Sequence, residues 1–348
     1  MKEKMIKFLL ENANPSIKYR LKKEILNDIS TEEENELQAQ IMAEPAIQLI
    51  INCQKENGWL GNGFHGANKN AGYYENQETG TKYLAEKGVL KETPVLKHAM
   101  DAFVTTELTD LCYRTKGKLF DEFKYAANGQ NIIRCACIAR AGYDDIIDIK
   151  PQIQLSLDSF KRILEVDSIL DVSRIRSNSR VFNDYEKWAC RYHLYILAFT
   201  DSWKSNENIN IIRESIKKLM RNDRPELIGV GANSWVGYPL GTVGCLNEGF
   251  TIYAKKDNDY YIHFQYLEWL ARCGVGCEIS HIKEAADIIK SYTDTNGICK
   301  LDVDGGGFTG WGPYAPMNLE IDWKNELRKT CDITFRALLI LHYLGVNE

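Results

Sequence analysis

The sequence predicts an all-α fold, an (α/α)6 toroid in which about six helical hairpins close into one ring. Three observations predict it. A helix-ending phrase recurs along the chain, the helices alternate between two kinds of surface, and the links alternate between short and long. Together they describe one domain over residues 1–348.

The phrase is an apolar helix, then a small residue or Gly, a short polar link and an amphipathic helix. Copies are Tyr83-Leu84-Ala85-Glu86-Lys87-Gly88-Val89, Ile138-Ala139-Arg140-Ala141-Gly142-Tyr143, Leu270-Ala271-Arg272-Cys273-Gly274-Val275 and Leu341-His342-Tyr343-Leu344-Gly345-Val346. A degenerate copy, Ile196-Leu197-Ala198-Phe199-Thr200-Asp201, keeps the helix and loses the glycine. A residue just past a helix end takes the left-handed conformation that only Gly adopts cheaply, so each copy marks a stop.

Read from these stops, the first-type helices run roughly 16–27, 72–87, 128–141, 186–199, 258–273 and 329–344. The second-type helices run roughly 32–53, 92–113, 146–165, 207–220 and 279–293. The sixth first-type helix lacks a partner, and so does a helix at 2–12; pairing them closes the ring. A period of about 55–70 residues is that of a stacked or toroidal helical array. An open solenoid is the alternative.

First-type helices are apolar nearly all round, as in Phe335-Arg336-Ala337-Leu338-Leu339-Ile340-Leu341, and belong inside. Second-type helices carry a charged stripe, as in Ile211-Ile212-Arg213-Glu214-Ser215-Ile216-Lys217-Lys218-Leu219-Met220, and belong outside. Links after inner helices are short. Links after outer helices are long (54–71, 114–127, 166–185, 221–257 and 294–328) and in antiparallel hairpins all fall on one rim. Loops of such length in a compact domain are usually functional.

Those loops concentrate Gly, Trp and Tyr. They include Gly58-Trp59-Leu60-Gly61-Asn62-Gly63-Phe64-His65-Gly66, Ser234-Trp235-Val236-Gly237-Tyr238-Pro239 and the stretch from Asp302 through Asp304 and Trp311 to Tyr314. Aromatic faces with polar tips suit an apolar or planar ligand. Trp59, His65, Arg180, Trp188, Trp235, Tyr238, Trp311 and Tyr314 are the candidate binding residues. The competing role for Trp59 and Trp311 is to staple one hairpin to the next.

Arg174, Arg176, Arg180 and Arg191 flank the start of the fourth inner helix, and Glu320, Asp322, Arg328 and Asp332 that of the last. The arginines suit an anion such as a diphosphate or, equally, a carboxylate network that orders long loops.

Composition narrows the class. Hydrophobic residues at 44% and charged ones at 26% fit a globular chain with a large core. A net charge of -5 argues against a nucleic-acid footprint. No apolar run approaches the roughly 18 residues of a transmembrane segment, and Met1 to Leu10 lacks the pattern of a signal peptide. The ten cysteines are therefore expected to be reduced and the protein cytoplasmic. Neither a Walker-type loop nor a Gly-x-Ser-x-Gly elbow is present.

Gln54-Lys55-Glu56-Asn57-Gly58-Trp59 resembles the Gln-x-x-Asp-Gly-x-Trp stapling motif of squalene-cyclase-like proteins, and Asp294-Thr295-Asn296-Gly297 and Asp304-Gly305-Gly306-Gly307-Phe308 resemble degenerate copies. With the hairpin ring, the chain resembles the terpenoid cyclase and protein prenyltransferase β-subunit superfamily over nearly its whole length. The resemblance implies a central pocket for a small apolar, isoprenoid-type ligand, and two chemistries. Asp302-Val303-Asp304-Gly305 resembles the Asp-x-Asp-Asp acid of the cyclases, without its third carboxylate. Cys331-Asp332 and His263 match the zinc-binding residue types of the transferases, in the order Cys-Asp where the family has Asp-x-Cys. Asp332, Asp304, Asp302 and His263 are thus the candidate catalytic residues, Cys331, Asp332 and His263 the candidate metal ligands, and zinc or magnesium the cofactor to look for. A non-catalytic binding scaffold and a carbohydrate-active toroid remain alternatives.

Overall fold

The computed structural model describes residues 1–65, 75–106, 130–176, 179–184, 187–220, 246–256, 259–303 and 316–346. It is predominantly helical, with thirteen α-helices and two small antiparallel hairpins among the described residues. None of the described helices is long and apolar enough to cross a membrane. The chain gathers into two compact units, one of residues 1–105, 252–271 and 276–348, the other of 106–251 and 272–275.

In the first unit, α1 (Lys2–Asn12) buries Met5 and Leu9, one turn apart, and packs on α13 (Glu326–Tyr343). Asn14 caps α2 (Pro15–Arg20) by accepting the Ile17 N–H at 3.0 Å. The helix continues as a π-helical turn, Leu21–Leu26, ended by Asn27 at φ 52°.

Ser30 caps α3 (Thr31–Met42), whose first turn carries Glu32, Glu33 and Glu34 on the favourable end of the helix dipole. The outer helix expected over 32–53 is two helices, α3 and α4 (Pro45–Cys53). Pro45 forces Glu44 into extended backbone (ψ 135°), which stops one helix and starts the next. The unit continues with α5 (Gln77–Glu86) and α6 (Pro94–Thr105), then α11 (Phe264–Arg272), whose last residue belongs to the second unit, and α12 (Ser280–Ser291).

In the second unit, α9 (Arg191–Ala198) is buried along its whole length and packs against α7 (Gln130–Arg140) and α8 (Lys150–Leu164). The outer partner of α8 is α10 (Asn206–Leu219), which buries Ile212, Ser215, Ile216 and Leu219 on one face. Ser215 also donates to the Phe160 carbonyl at 2.7 Å.

All four glycine stops hold. Gly88, Gly142, Gly274 and Gly345 lie at φ 78°, 69°, 75° and 68°. Gly88, Gly142 and Gly345 close the same double bond, as where Gly88 N–H reaches Ala85 O (3.1 Å) and Val89 N–H reaches Leu84 O (3.0 Å). In the degenerate copy, side chains replace the glycine. Thr200 Oγ1 donates to Ile196 O at 2.9 Å, and Trp203 Nε1 donates to Leu197 O at 3.0 Å.

Two features depart from expectation. The links at 166–185 and 221–257 contain strands, and the helix expected over 258–273 begins with one. In the second unit β1 (Ser173–Arg176) pairs with β2 (Ser179–Phe182); in the first, β3 (Tyr253–Lys256) pairs with β4 (Asp259–Ile262). Each hairpin ends close to a helix, α9 or α11. α5 is also buried without being apolar. All ten residues of α5 are buried, among them Glu78, Lys82 and Glu86, a column one turn apart.

Candidate functional site

Two turns share one design. After α4, Lys55 N–H bonds Trp59 O (2.9 Å), Gly58 N–H bonds Lys55 O (2.9 Å) and Gly61 N–H bonds Cys53 O (3.1 Å). After α12, Asp294 N–H bonds Ile298 O (3.0 Å), Gly297 N–H bonds Asp294 O (2.9 Å) and Lys300 N–H bonds Tyr292 O (2.8 Å). Each turn then docks on a buried helix, α5 or α13: Leu60 N–H on Gln77 Oε1 at 2.6 Å, Cys299 N–H on Thr334 Oγ1 at 3.1 Å. Each glycine also presses on a second helix. A Cβ at Gly58 would collide with the His98 carbonyl of α6, and one at Gly297 would lie 2.5 Å from Met5 N of α1.

The first turn is held further by Gln54, whose amide donates to Gly58 O (3.1 Å) and Val95 O (2.8 Å). Trp59 lies partly exposed against Phe64 and Phe103, with ring centroids 6.2 and 6.1 Å away. A Gln reaching from one hairpin to the next, with Trp59 packed beside it, has the geometry of a staple.

His65 follows directly. The strand-like segment 61–65 is pinned to the start of α5, because Gln77 N–H donates to Gly63 O (2.9 Å) and Glu78 N–H to Phe64 O (3.1 Å). That pinning brings His65 Nδ1 to 2.5 Å from Glu78 Oε2. The His65 side chain is 23% exposed and that of Glu78 is 4%. A carboxylate accepts only, so Nδ1 carries the hydrogen of this pair. A partly exposed imidazole oriented by a buried carboxylate is a polar group that can hold a hydroxyl. His65 was legible in the sequence; Glu78, in an inner helix, was not.

The other sequence candidates scatter. Asp332 is fully buried and saturated: it accepts Leu319 N–H (2.6 Å), Trp323 Nε1–H (2.9 Å) and Arg336 Nε–H (2.9 Å). That set of donors anchors the 317–323 segment. Asp302 is an exposed carboxylate 3.0 Å from Lys329, which holds its carboxyl below the usual range. Burial, with the charges of Glu320 and Asp332, pushes the Cys331 thiol up to about 12. His263 precedes α11 and is exposed. Among the described residues no three His, Cys, Asp or Glu side chains gather to hold a metal, so Cys331, Asp332 and His263 do not form a centre.

Trp188 is buried, stacked on Phe182 at 5.0 Å, with Nε1–H on Leu246 O at 2.6 Å. Arg174 and Arg180 bond Asn183 Oδ1 (2.9 Å) and Ser173 Oγ (3.1 Å), both next to or within their own hairpin. Asp322 pairs with Arg328 at 2.9 Å. Asp304, Trp235, Tyr238, Trp311 and Tyr314 lie outside the described residues.

Comparison with protein-family models, with curated proteins and with solved structures finds no match.

Proposed function

We propose that the chain is an (α/α)6 toroid of the squalene-cyclase-like type, whose long-loop rim binds a small hydroxyl-bearing ligand, such as a sugar, at Trp59 and His65. Two relationships support the ring. α1 pairs with α13, and Gly297 meets α1 as Gly58 meets α6. The observation that carries the ligand reading is the His65–Glu78 pair at 2.5 Å, an oriented polar group on the same Gly-rich segment as the partly exposed Trp59. Sugars are gripped by such residue types, the ring on an aromatic face and the hydroxyls on polar side chains.

An isoprenoid-type ligand is the second reading. It is favoured by the Trp59–Phe64–Phe103 ring cluster, which offers apolar surface at the same rim.

Calorimetry with maltohexaose, cellohexaose and farnesol separates these. The first reading expects a hexaose to bind, and H65A or W59A to weaken it about tenfold, roughly 1.4 kcal/mol each. Binding of farnesol alone favours the second. Binding of none of the three leaves the chain a scaffold and defeats both.

A further inference from the structure

His193 stands in the first turn of α9 and is fully buried. The local chain fixes its tautomer. Cys190 and His193 form a reciprocal capping box: the Cys190 side chain accepts the His193 backbone N–H, and His193 Nδ1 accepts the Cys190 N–H at 3.2 Å. A backbone N–H only donates, so Nδ1 presents its lone pair and the ring hydrogen sits on Nε2. Burial keeps the ring neutral by pushing it down to about 3.

That Nε2–H has no acceptor among the described residues. The carbonyls around the helix start already accept elsewhere. Cys190 O takes the Leu194 N–H at 3.3 Å, Ala189 O takes the Leu246 N–H at 3.1 Å, and Leu246 O takes Trp188 Nε1–H at 2.6 Å. One turn on, Ile196 O takes the Thr200 hydroxyl at 2.9 Å and Leu197 O takes Trp203 Nε1–H at 3.0 Å. A buried donor without an acceptor is costly, and native interiors supply one from the protein, an ordered water or a ligand.

The tautomer also sets what the ring can do. With Nδ1 occupied and Nε2 protonated, no lone pair is left for a metal ion or for a substrate proton. The ring donates. Its partner is an oxygen, and an uncharged one, because a single neutral N–H does not compensate a desolvated anion.

We infer that His193 Nε2–H anchors a second binding site, in the second unit, that takes an uncharged oxygen acceptor: the hydroxyl or carbonyl of a small molecule, or a resident water. Trp59 and His65 belong to the first unit, so this site does not depend on the ligand reading made for them.

The test is a long-range 1H–15N correlation spectrum of the full chain labelled with 15N-histidine, recorded alone and with ethylene glycol, N-methylacetamide or acetate. At neutral pH the wild type should show His193 with its hydrogen on Nε2. A saturable shift of that proton with ethylene glycol or N-methylacetamide, and none with acetate, assigns the site to a ligand oxygen. A cross-peak to water that the probes leave unchanged assigns it to a resident water. H193N keeps an acceptor for Cys190 and lacks Nε2, so it identifies the signal by its loss; through-bond correlation to the His193 backbone identifies it in the wild type should that variant not fold. A hydrogen on Nδ1, an Nε2 proton that meets neither water nor probe, or an equal response to acetate overturns the site.

Discussion

Gly297 stands to Met5 as Gly58 stands to His98: each glycine, at φ 81° and 83°, closes a turn and lets that turn lie directly against the backbone of a second helix. One contact joins residues 40 apart in the chain, the other residues 292 apart.

Alanine at either position meets both a left-handed backbone and a backbone collision, and should cost about 2–4 kcal/mol. Gly142 has the same backbone sign with nothing within 4 Å of a new Cβ, so G142A should cost about 1 kcal/mol. Urea unfolding of the three variants checks the difference. Equal losses would mean that the turns do not seat on α6 and α1.

Arg20 is the hub of a second buried network. It bonds Glu24 (2.5 Å) and Glu86 (3.3 Å), lies 3.8 Å from Glu268, and sits over the Phe335 ring. R20M leaves three carboxylates in or near the core with their shared cation gone. It should lose about 3–5 kcal/mol, measured by thermal or urea unfolding. The loss should shrink at low pH, where the orphaned carboxylates take up protons.

Asp332 and Asp302 should behave oppositely. D332N breaks the Arg336 pair and slackens the 317–323 anchor, at about 3 kcal/mol or more. D302N removes a surface pair to Lys329, at about 0.5 kcal/mol or less. Parallel denaturation curves decide between this and a shared catalytic role, in which both would be stable and inactive.

His193 gives the second unit an acid sensitivity. Its Nδ1 accepts the Cys190 N–H at 3.2 Å, Nε2 has no partner among the described residues, and burial pushes the ring down to about 3. The folded value lies below the ordinary 6.5, so the unfolded chain binds the extra proton. Stability is therefore intact above 6.5 and falls as pH drops toward 3, by about 4 kcal/mol in all. H193N, which preserves an acceptor for Cys190, should flatten the fall in urea midpoint between pH 6.5 and pH 4.5. An unchanged slope would assign the acid loss elsewhere.

The helix stops were readable because capping is local chemistry. Gly88, Gly142, Gly274 and Gly345 each act within one turn, and the missing fifth glycine was readable as an absence, though not its replacement by Thr200 and Trp203. The break at Pro45 is equally local, since a proline turns the residue before it away from helix. His65 and Trp59 stood out by residue type in a Gly-rich loop. Glu78 did not, since a glutamate in a helix reads as solvated until the helix is seen to be buried on every side.

By itself the sequence determined where the glycine-stopped helices end, which helices carry a charged stripe, and which links are long enough to bear a site. Those follow from backbone conformation and periodicity, which act over a few residues. Only the tertiary structure decided that α5 and α13 bury charge, that 173–182 and 253–262 form hairpins, and that Asn14 meets Glu320 across 306 residues of chain. A buried charge is tolerated only beside its partners, and nothing local to Glu78, Arg20 or Asp332 says who those partners are. The same holds for Gly58 and Gly297. Their turns are written in the sequence, and the helices they press against are not.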